Sequence, residues 1–210
     1  FISAVETIAA ATPSTRQTLL FSATLEGNIA KLAQRLLKNP QRIQMASAQA
    51  KHENIEQRLH HTDDDGHKQR MLAHLLIDGS VDKTIIFTAT KRGADKLART
   101  LQVNGHKVAA LHGDMNQSAR NRVIHQLRGG TVRVLVATDV AARGIDVNGV
   151  SHVINFDLPR SAEDYVHRIG RTGRAGANGT AISFAAPDET RLLRDIERYT
   201  GHAITAHVVP

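Results

Sequence analysis

Arg168, Arg171 and Arg174 stand three residues apart in the stretch Y-V-H-R-I-G-R-T-G-R-A-G, Tyr165 to Gly176, with glycines at 170, 173 and 176 between and after them. A guanidinium is a planar fork of donors that matches the oxygens of a phosphate. Each glycine costs a helix interior about 1 kcal/mol against Ala. The pattern therefore predicts a helix that starts near Ser161 and ends around Ile169, with Arg171 and Arg174 projecting from the loop beyond it. Two arginines on such a turn can clamp a polyphosphate. A solvated basic loop is the alternative, and a glycine period by itself does not separate the two.

Composition narrows the chemistry. The 210 residues contain 27 Lys+Arg against 20 Asp+Glu, a formal charge of +7, which suits a polyanionic partner. Between Val108 and Arg174 there are nine arginines, no lysine and six acids, a bias toward directed phosphate contacts over general solubility. Aromatic residues make up 3% with no Trp, so bases are not expected to stack on aromatic platforms, and any nucleic acid would be gripped by its backbone with little sequence preference. No cysteine is present, which removes disulfides and thiolate metal sites. The twelve histidines show no HExxH spacing. Asp63-Asp64-Asp65-Gly66 lacks the later ligands of a calcium loop and reads as a helix N-terminus. No apolar run reaches the ~18 residues of a membrane span and no secretory signal is visible, so the expected compartment is the cytoplasm.

Elements alternate along most of the chain. Residues 1–46 read as a helical start, an apolar strand at Gln17–Phe21, a one-faced helix at Leu25–Leu37 stopped by Asn39-Pro40, and a further strand near Arg42–Ala46. This is too little to bury a core, and it is expected to be poorly ordered alone or to pack on another chain. Residues 47–54 form a polar linker. Beyond it, strands at 55–61, 84–89, 107–111, 132–137, 151–156, 180–185 and 203–208 alternate with helices at 67–77, 91–103, 117–128, 162–169 and 189–200. Strands separated by helices of this length mean right-handed βαβ units: an α/β fold with a doubly wound, mostly parallel sheet flanked by helices on both faces. Ligands of such sheets bind beyond the carboxyl ends of the strands. That rule gathers Thr88–Lys91, His112–Asp114 and Thr138-Asp139, and the loop carrying Arg171 and Arg174 is expected on the same edge.

With those residues in place the chain resembles the C-terminal, second RecA-like domain of DEAD-box ATP-dependent RNA helicases. The resemblance is carried by Ser22-Ala23-Thr24, Ile85–Lys91, Leu111–Asp114 with Gln117 and Arg120, Ala137–Asp146 and His167–Arg174, in order from about residue 17 to 185. It implies that 1–46 is the end of the first, ATP-binding RecA-like domain and that 55–210 is the helicase C-terminal domain. By the same resemblance Arg171 and Arg174 are arginine fingers for the γ-phosphate of ATP, while Gly144 and Asp146 contact the nucleotide. Thr90, Gly113, Gln117, Arg120 and Thr138 hold RNA phosphates. Ser22, Thr24, His167 and Arg168 couple nucleotide state to the gap between the domains. Asp139 is read as ordering its loop, since an unpaired carboxylate repels phosphate.

Some parts of such an enzyme do not occur in these residues. There is no G-x-x-x-x-G-K-S/T loop, no Asp-Glu-Ala-Asp segment, and Asp188-Glu189 after Pro187 reads as a helix cap. ATP and Mg2+ are thus expected to be bound mainly by a first domain, with no metal site here, and this chain alone is expected to be inactive. The expected partners are RNA and the first RecA-like domain, with no membrane. Two rivals stand beside this reading. One is a non-enzymatic RNA-binding or interaction module. The other is a dinucleotide enzyme, disfavoured because no G-x-G-x-x-G follows the first strand and the glycine series at 170–179 follows a later crossover.

Overall fold

The computed structural model describes residues 1–22, 25, 27–43, 53–78, 81–143, 145, 147–174 and 176–207. The chain divides into two compact units, Phe1–Ala50 and Lys51–Pro210. The first contains helices α1 (Ile2–Ala10) and α2 (Gly27–Leu36), joined by an ion pair of 2.6 Å between Arg35 and Glu6. Only Leu32 and Ala33 are buried among its described residues, while Phe1, Leu19 and Phe21 stand exposed. The strand expected at Gln17–Phe21 does not form. An extended segment becomes a strand only by pairing its backbone with a neighbour, and the described part of this unit contains no sheet. Of the strand expected near Arg42–Ala46, Arg42 and Ile43 are irregular and 44–46 lie outside the described residues, as does most of the linker expected at 47–54.

The second unit is a seven-stranded, all-parallel sheet. Its elements are β1 (Ile55–His61), α3 (Asp65–Ile77), β2 (Lys83–Phe87), α4 (Lys91–Val103), β3 (Val108–Leu111), α5 (Gln117–Arg128), β4 (Val134–Ala137), α6 (Asp139–Ala142), β5 (Val150–Asn155), α7 (Ala162–Ile169), β6 (Gly179–Ala185), α8 (Thr190–Thr200) and β7 (Thr205–Ala206). The strand order is β3-β4-β2-β5-β6-β1-β7. Helices α4, α5 and α7 span the residues the sequence predicts. The loop expected from Thr138 contains one helical turn, α6.

Alternate residues of each central strand serve opposite faces. Ile86, Ile154, Ile182 and Phe184 pack with Met71 and Leu72 of α3 and Leu97 and Leu101 of α4. On the other face Ile85, Leu135 and Val153 meet Val123 and Leu127 of α5, and Leu59 and Ala181 meet Tyr165, Ile169, Leu193 and Ile196 of α7 and α8. Burial on both faces explains why β2 and β4 read as unbroken apolar runs. Four helices begin on a side-chain cap that follows a strand: Asp64 accepts from the His67 amide, Thr90 from Gly93, Asn116 from Ala119 and Ser161 from Asp164. The acidic run 63–65 is therefore a helix start, as its sequence suggests.

Candidate functional site

Past the carboxyl ends of the strands, backbone pairing runs on for one more residue and ties the rim together. The Thr138 amide donates to the Leu111 carbonyl at 3.2 Å, Thr88 to Ala137 at 3.0 Å and Asp157 to Phe87 at 3.2 Å. Thr90, Gly113 and Thr138 thus arrive from three neighbouring strands, β2, β3 and β4, with fixed relative positions. Arg120 of α5 joins them from below, its Nη2 donating to the Ala141 carbonyl at 3.2 Å, and exposed Gln117 donates to Asn121 at 2.8 Å. Lys91 pairs with Asp114, and this contact lowers the Asp114 carboxyl below its ordinary range. His112 Nε2 lies 3.0 Å from Asp95 Oδ1.

The two halves of the rim differ in their number of acids. The β3-β4-β2 half presents hydroxyls, amides and guanidinium, with Asp114 paired to Lys91 and Asp139 paired to Arg168. The β5-β6-β1 half carries Asp157, Asp188, Glu189, Asp63, Asp64 and Asp65. Besides Asp64, the cap of α3, and Asp63, 3.0 Å from His67, two of those acids form a knot: Asp157 accepts from the Ala89 amide at 2.8 Å, Glu189 accepts from the Ala186 amide at 2.9 Å, and buried Lys68 reaches both, at 3.5 and 3.1 Å. Sequence reading missed this knot. Asp157 follows β5 as Thr88 follows β2, so the strand-end rule applied to every strand would have found it.

Arg168 is 2% exposed. It donates to both oxygens of Asp139, at 2.6 and 2.8 Å, to Asn155 at 3.1 Å and to the Asp157 carbonyl at 2.7 Å, and its guanidinium lies 4.9 Å from the Phe87 ring centre. Equal spacing groups it with Arg171 and Arg174 in the sequence, but spacing keeps residues on one face only while a helix lasts. Arg168 lies on the buried face of α7 with Tyr165 and Ile169, and Arg171 comes after the helix has ended. Asp139, read as ordering its loop, is the carboxylate that meets it.

The expectation that Arg171 and Arg174 share the carboxyl rim is met only in part: the loop backbone returns to the amino ends of β1 and β5, while the Arg171 side chain borders a cleft with Phe87 and Asp139 at the carboxyl ends of β2 and β4. Helix α7 carries the chain back across the sheet, and the loop after it returns to the amino end of β6. There Thr172 Oγ1 lies 2.6 Å from the Val150 carbonyl and 3.0 Å from that of Ser151, and the Gly179 amide donates to Asn54. In a parallel sheet, loops leading into strands lie opposite the loops leaving them. Arg171 Nη1 donates to the Ile145 carbonyl at 2.9 Å and Arg174 Nε to the Gly170 carbonyl at 2.8 Å; both side chains are half-buried. Arg171 borders a shallow cleft with Arg143, Asp164 and His167, floored by Asp139 and Arg168, and Arg143 pairs with Asp164 at 3.2 Å. Among the described residues no cluster of His, Asp and Glu could hold a metal ion.

The helicase conserved C-terminal domain family matches residues 67–176, just over half of the chain. The chain belongs to that family, in its DEAD-box branch. The ATP-dependent RNA helicase SrmB of Haemophilus influenzae is 46% identical over 205 residues, covering 97% of this chain and 47% of the relative. The Escherichia coli DEAD-box protein SrmB, solved bound to regulator of ribonuclease activity A, is 46% identical with a TM-score of 0.71, covering 74% of this chain and 91% of that one. Saccharomyces cerevisiae Dbp5 bound to RNA and ADP BeF3 is 34% identical with a TM-score of 0.85, covering 96% of this chain and 53% of that one. The chain spans about half the length of that curated relative.

The all-parallel sheet is the RecA-like fold of these helicase domains. Of the residues matched to the DEAD-box motifs, Thr90, Gly113, Gln117, Arg120 and Thr138 gather on or beside one half of the rim, and His167 and Arg171 meet at the cleft. Thr24, Gly144 and Asp146 lie outside the described residues. Ser22 lies in an exposed, irregular stretch of the first unit.

Proposed function

We propose that this chain is the second half of an ATP-dependent RNA helicase. In this reading the β3-β4-β2 half of the rim grips the RNA sugar-phosphate backbone, and Arg171 and Arg174 act on ATP from a separate surface. The observation that carries it is that division. Donors indifferent to base identity occupy one edge of the sheet, while the arginine loop lies beyond the far end of α7. RNA and nucleotide would then not compete for the same groups. The yeast relative, which binds RNA and ADP BeF3 together, supports two ligand surfaces.

Each group has a role consistent with its setting. Hydroxyls of Thr90 and Thr138, the Gly113 amide, Gln117 and the Arg120 guanidinium hold phosphate oxygens, and acids on the adjoining half of the rim confine the strand. ATP, bound with Mg2+ mainly on a preceding RecA-like domain of which residues 1–46 are the end, supplies the phosphoryl group. Arg171 and Arg174 stabilise charge developing on its oxygens, an effect worth about 10³–10⁵ in rate for an arginine finger. Ser22, Thr24 and His167 contribute to the interface between the domains. Arg168 acts through Asp139 and holds the α6 turn beside Thr138 in register with the finger loop. Closure of both domains over one strand bends it away from duplex geometry, separating base pairs locally.

The test uses a two-domain protein containing this chain. Arg171→Ala should cut RNA-stimulated ATP turnover by at least ~10³-fold with RNA affinity nearly unchanged. Arg120→Ala should weaken RNA binding first. The 210 residues alone should release no phosphate from ATP when RNA is added. Near-normal turnover of the Arg171 variant would refute the finger role.

A further inference from the structure

We infer that the solvent face of α4 extends the RNA track beyond the rim, with Arg92, Lys96 and Arg99 taking phosphates of nucleotides that lie outside the segment held by Thr90, Gly113 and Thr138. This rests on the RNA reading of the rim. Helix α4 starts at its cap Thr90, which is itself a rim residue, and then runs down the flank of the domain. Arg92, Lys96 and Arg99 stand at i, i+4 and i+7, so they form one stripe of about 10 Å along the helix. All three side chains are exposed, and an open groove of about 440 Å³ runs between them.

Their charges outnumber the one acid, Asp95, that lines the same groove. Among the described residues none of the three makes an ion pair or side-chain hydrogen bond, whereas nearby Lys91 pairs with Asp114 and Arg133 with Asp82. Asp95, the only acid on α4, is held by His112 at the rim. Across the sheet the rim carries more acids beyond β2, Asp63, Asp65 and Asp188 among them, so a polyanion leaving Thr90 is disfavoured on the β5 side and attracted along α4. The stripe is a row of cations on flexible stems, which fits a phosphate backbone and not a base edge.

The decisive variant is Lys96→Gln/Arg99→Gln, two exposed changes remote from the rim residues. Binding is measured by fluorescence anisotropy on the two-domain protein containing this chain, with a non-hydrolysable ATP analogue, over a salt series with a hexamer and a 20-mer of single-stranded RNA. Removing two phosphate contacts should reduce the salt slope for the 20-mer by about 1.4 and weaken its binding several-fold, leaving the hexamer unchanged. The control Arg191→Gln/Arg194→Gln removes the same charge from exposed positions on α8, behind the acidic half of the rim, and should change neither RNA. An unchanged 20-mer, or equal losses from the α4 and α8 pairs, overturns the inference while leaving the rim reading intact. Failure of the unsubstituted two-domain protein to bind either RNA overturns both.

Discussion

The guanidinium of Arg168 has bidentate contact with Asp139, two further acceptors and an aromatic ring, all inside the domain. The charge is stable there only with its partners in place, and without it Asp139, Asn155 and the Asp157 carbonyl all lose their donor. Arg168→Leu should lower unfolding free energy by about 3–5 kcal/mol, measured by urea denaturation. Arg168→Lys should recover only part of it, since an ammonium cannot reproduce the fork. A loss below about 1 kcal/mol would mean that the pair is no structural tie. The three equally spaced arginines thus divide into one internal strut and two side chains at a loop. Their spacing was plain in the sequence, but the division depends on where α7 stops and which of its faces meets the sheet.

At the scale of elements, the loop between α7 and β6 is shaped by two glycines. Gly173 has φ +65°, and a β-carbon there would lie 2.6 Å from Ile55 Cγ1. At Gly179 a β-carbon would strike Thr172 Oγ1 and come within 2.5 Å of the Gly173 nitrogen, a backbone atom that cannot swing aside. Gly179→Ala should therefore shift the turn that carries Arg171 and cost about 1–3 kcal/mol of stability, read from thermal or urea unfolding. An unaltered midpoint would show that the turn yields without cost. In the sequence these glycines signal only that a helix ends. Their reason is the close approach of the loop to the starts of β1 and β5, which belongs to the assembled sheet.

For the whole molecule, pH acts through histidines buried at the edge of the sheet. His60 is 4% exposed, its Nδ1 lies 2.8 Å from the His207 carbonyl and its Nε2 has no partner, so it is neutral with the proton on Nδ1. Burial holds its pKa below the ordinary value, and burial followed by the nearby Arg58 charge does the same for His152. The unfolded chain takes up these protons near pH 6.5, and the folded chain only at lower pH. Stability conferred by the neutral rings is thus present above about pH 6.5 and lost as pH falls below it. The melting temperature should drop between about pH 7.5 and 5.5 at fixed ionic strength, and His60→Asn/His152→Asn should flatten that dependence. A melt indifferent to pH across this window would contradict the assignment.

The sequence by itself determined the alternation of strands and helices and the gathering of Thr90, Gly113 and Thr138 at strand ends, because these depend on local periodicity, capping and the one rule that a parallel sheet has a carboxyl edge. It also named the strand at Gln17–Phe21, which failed because a strand is a property of two segments and not of one. The tertiary structure alone decided which arginine is buried, that acids are more numerous on the β5-β6-β1 half of the rim, and that the loop after α7 reaches the amino ends of β1 and β5 while its Arg171 side chain borders a cleft beside Asp139. Each of these depends on strand order and on the direction in which a helix crosses the sheet. Residues adjacent in space there include His60 and His207, 147 apart in the chain, and no spacing pattern records such a distance.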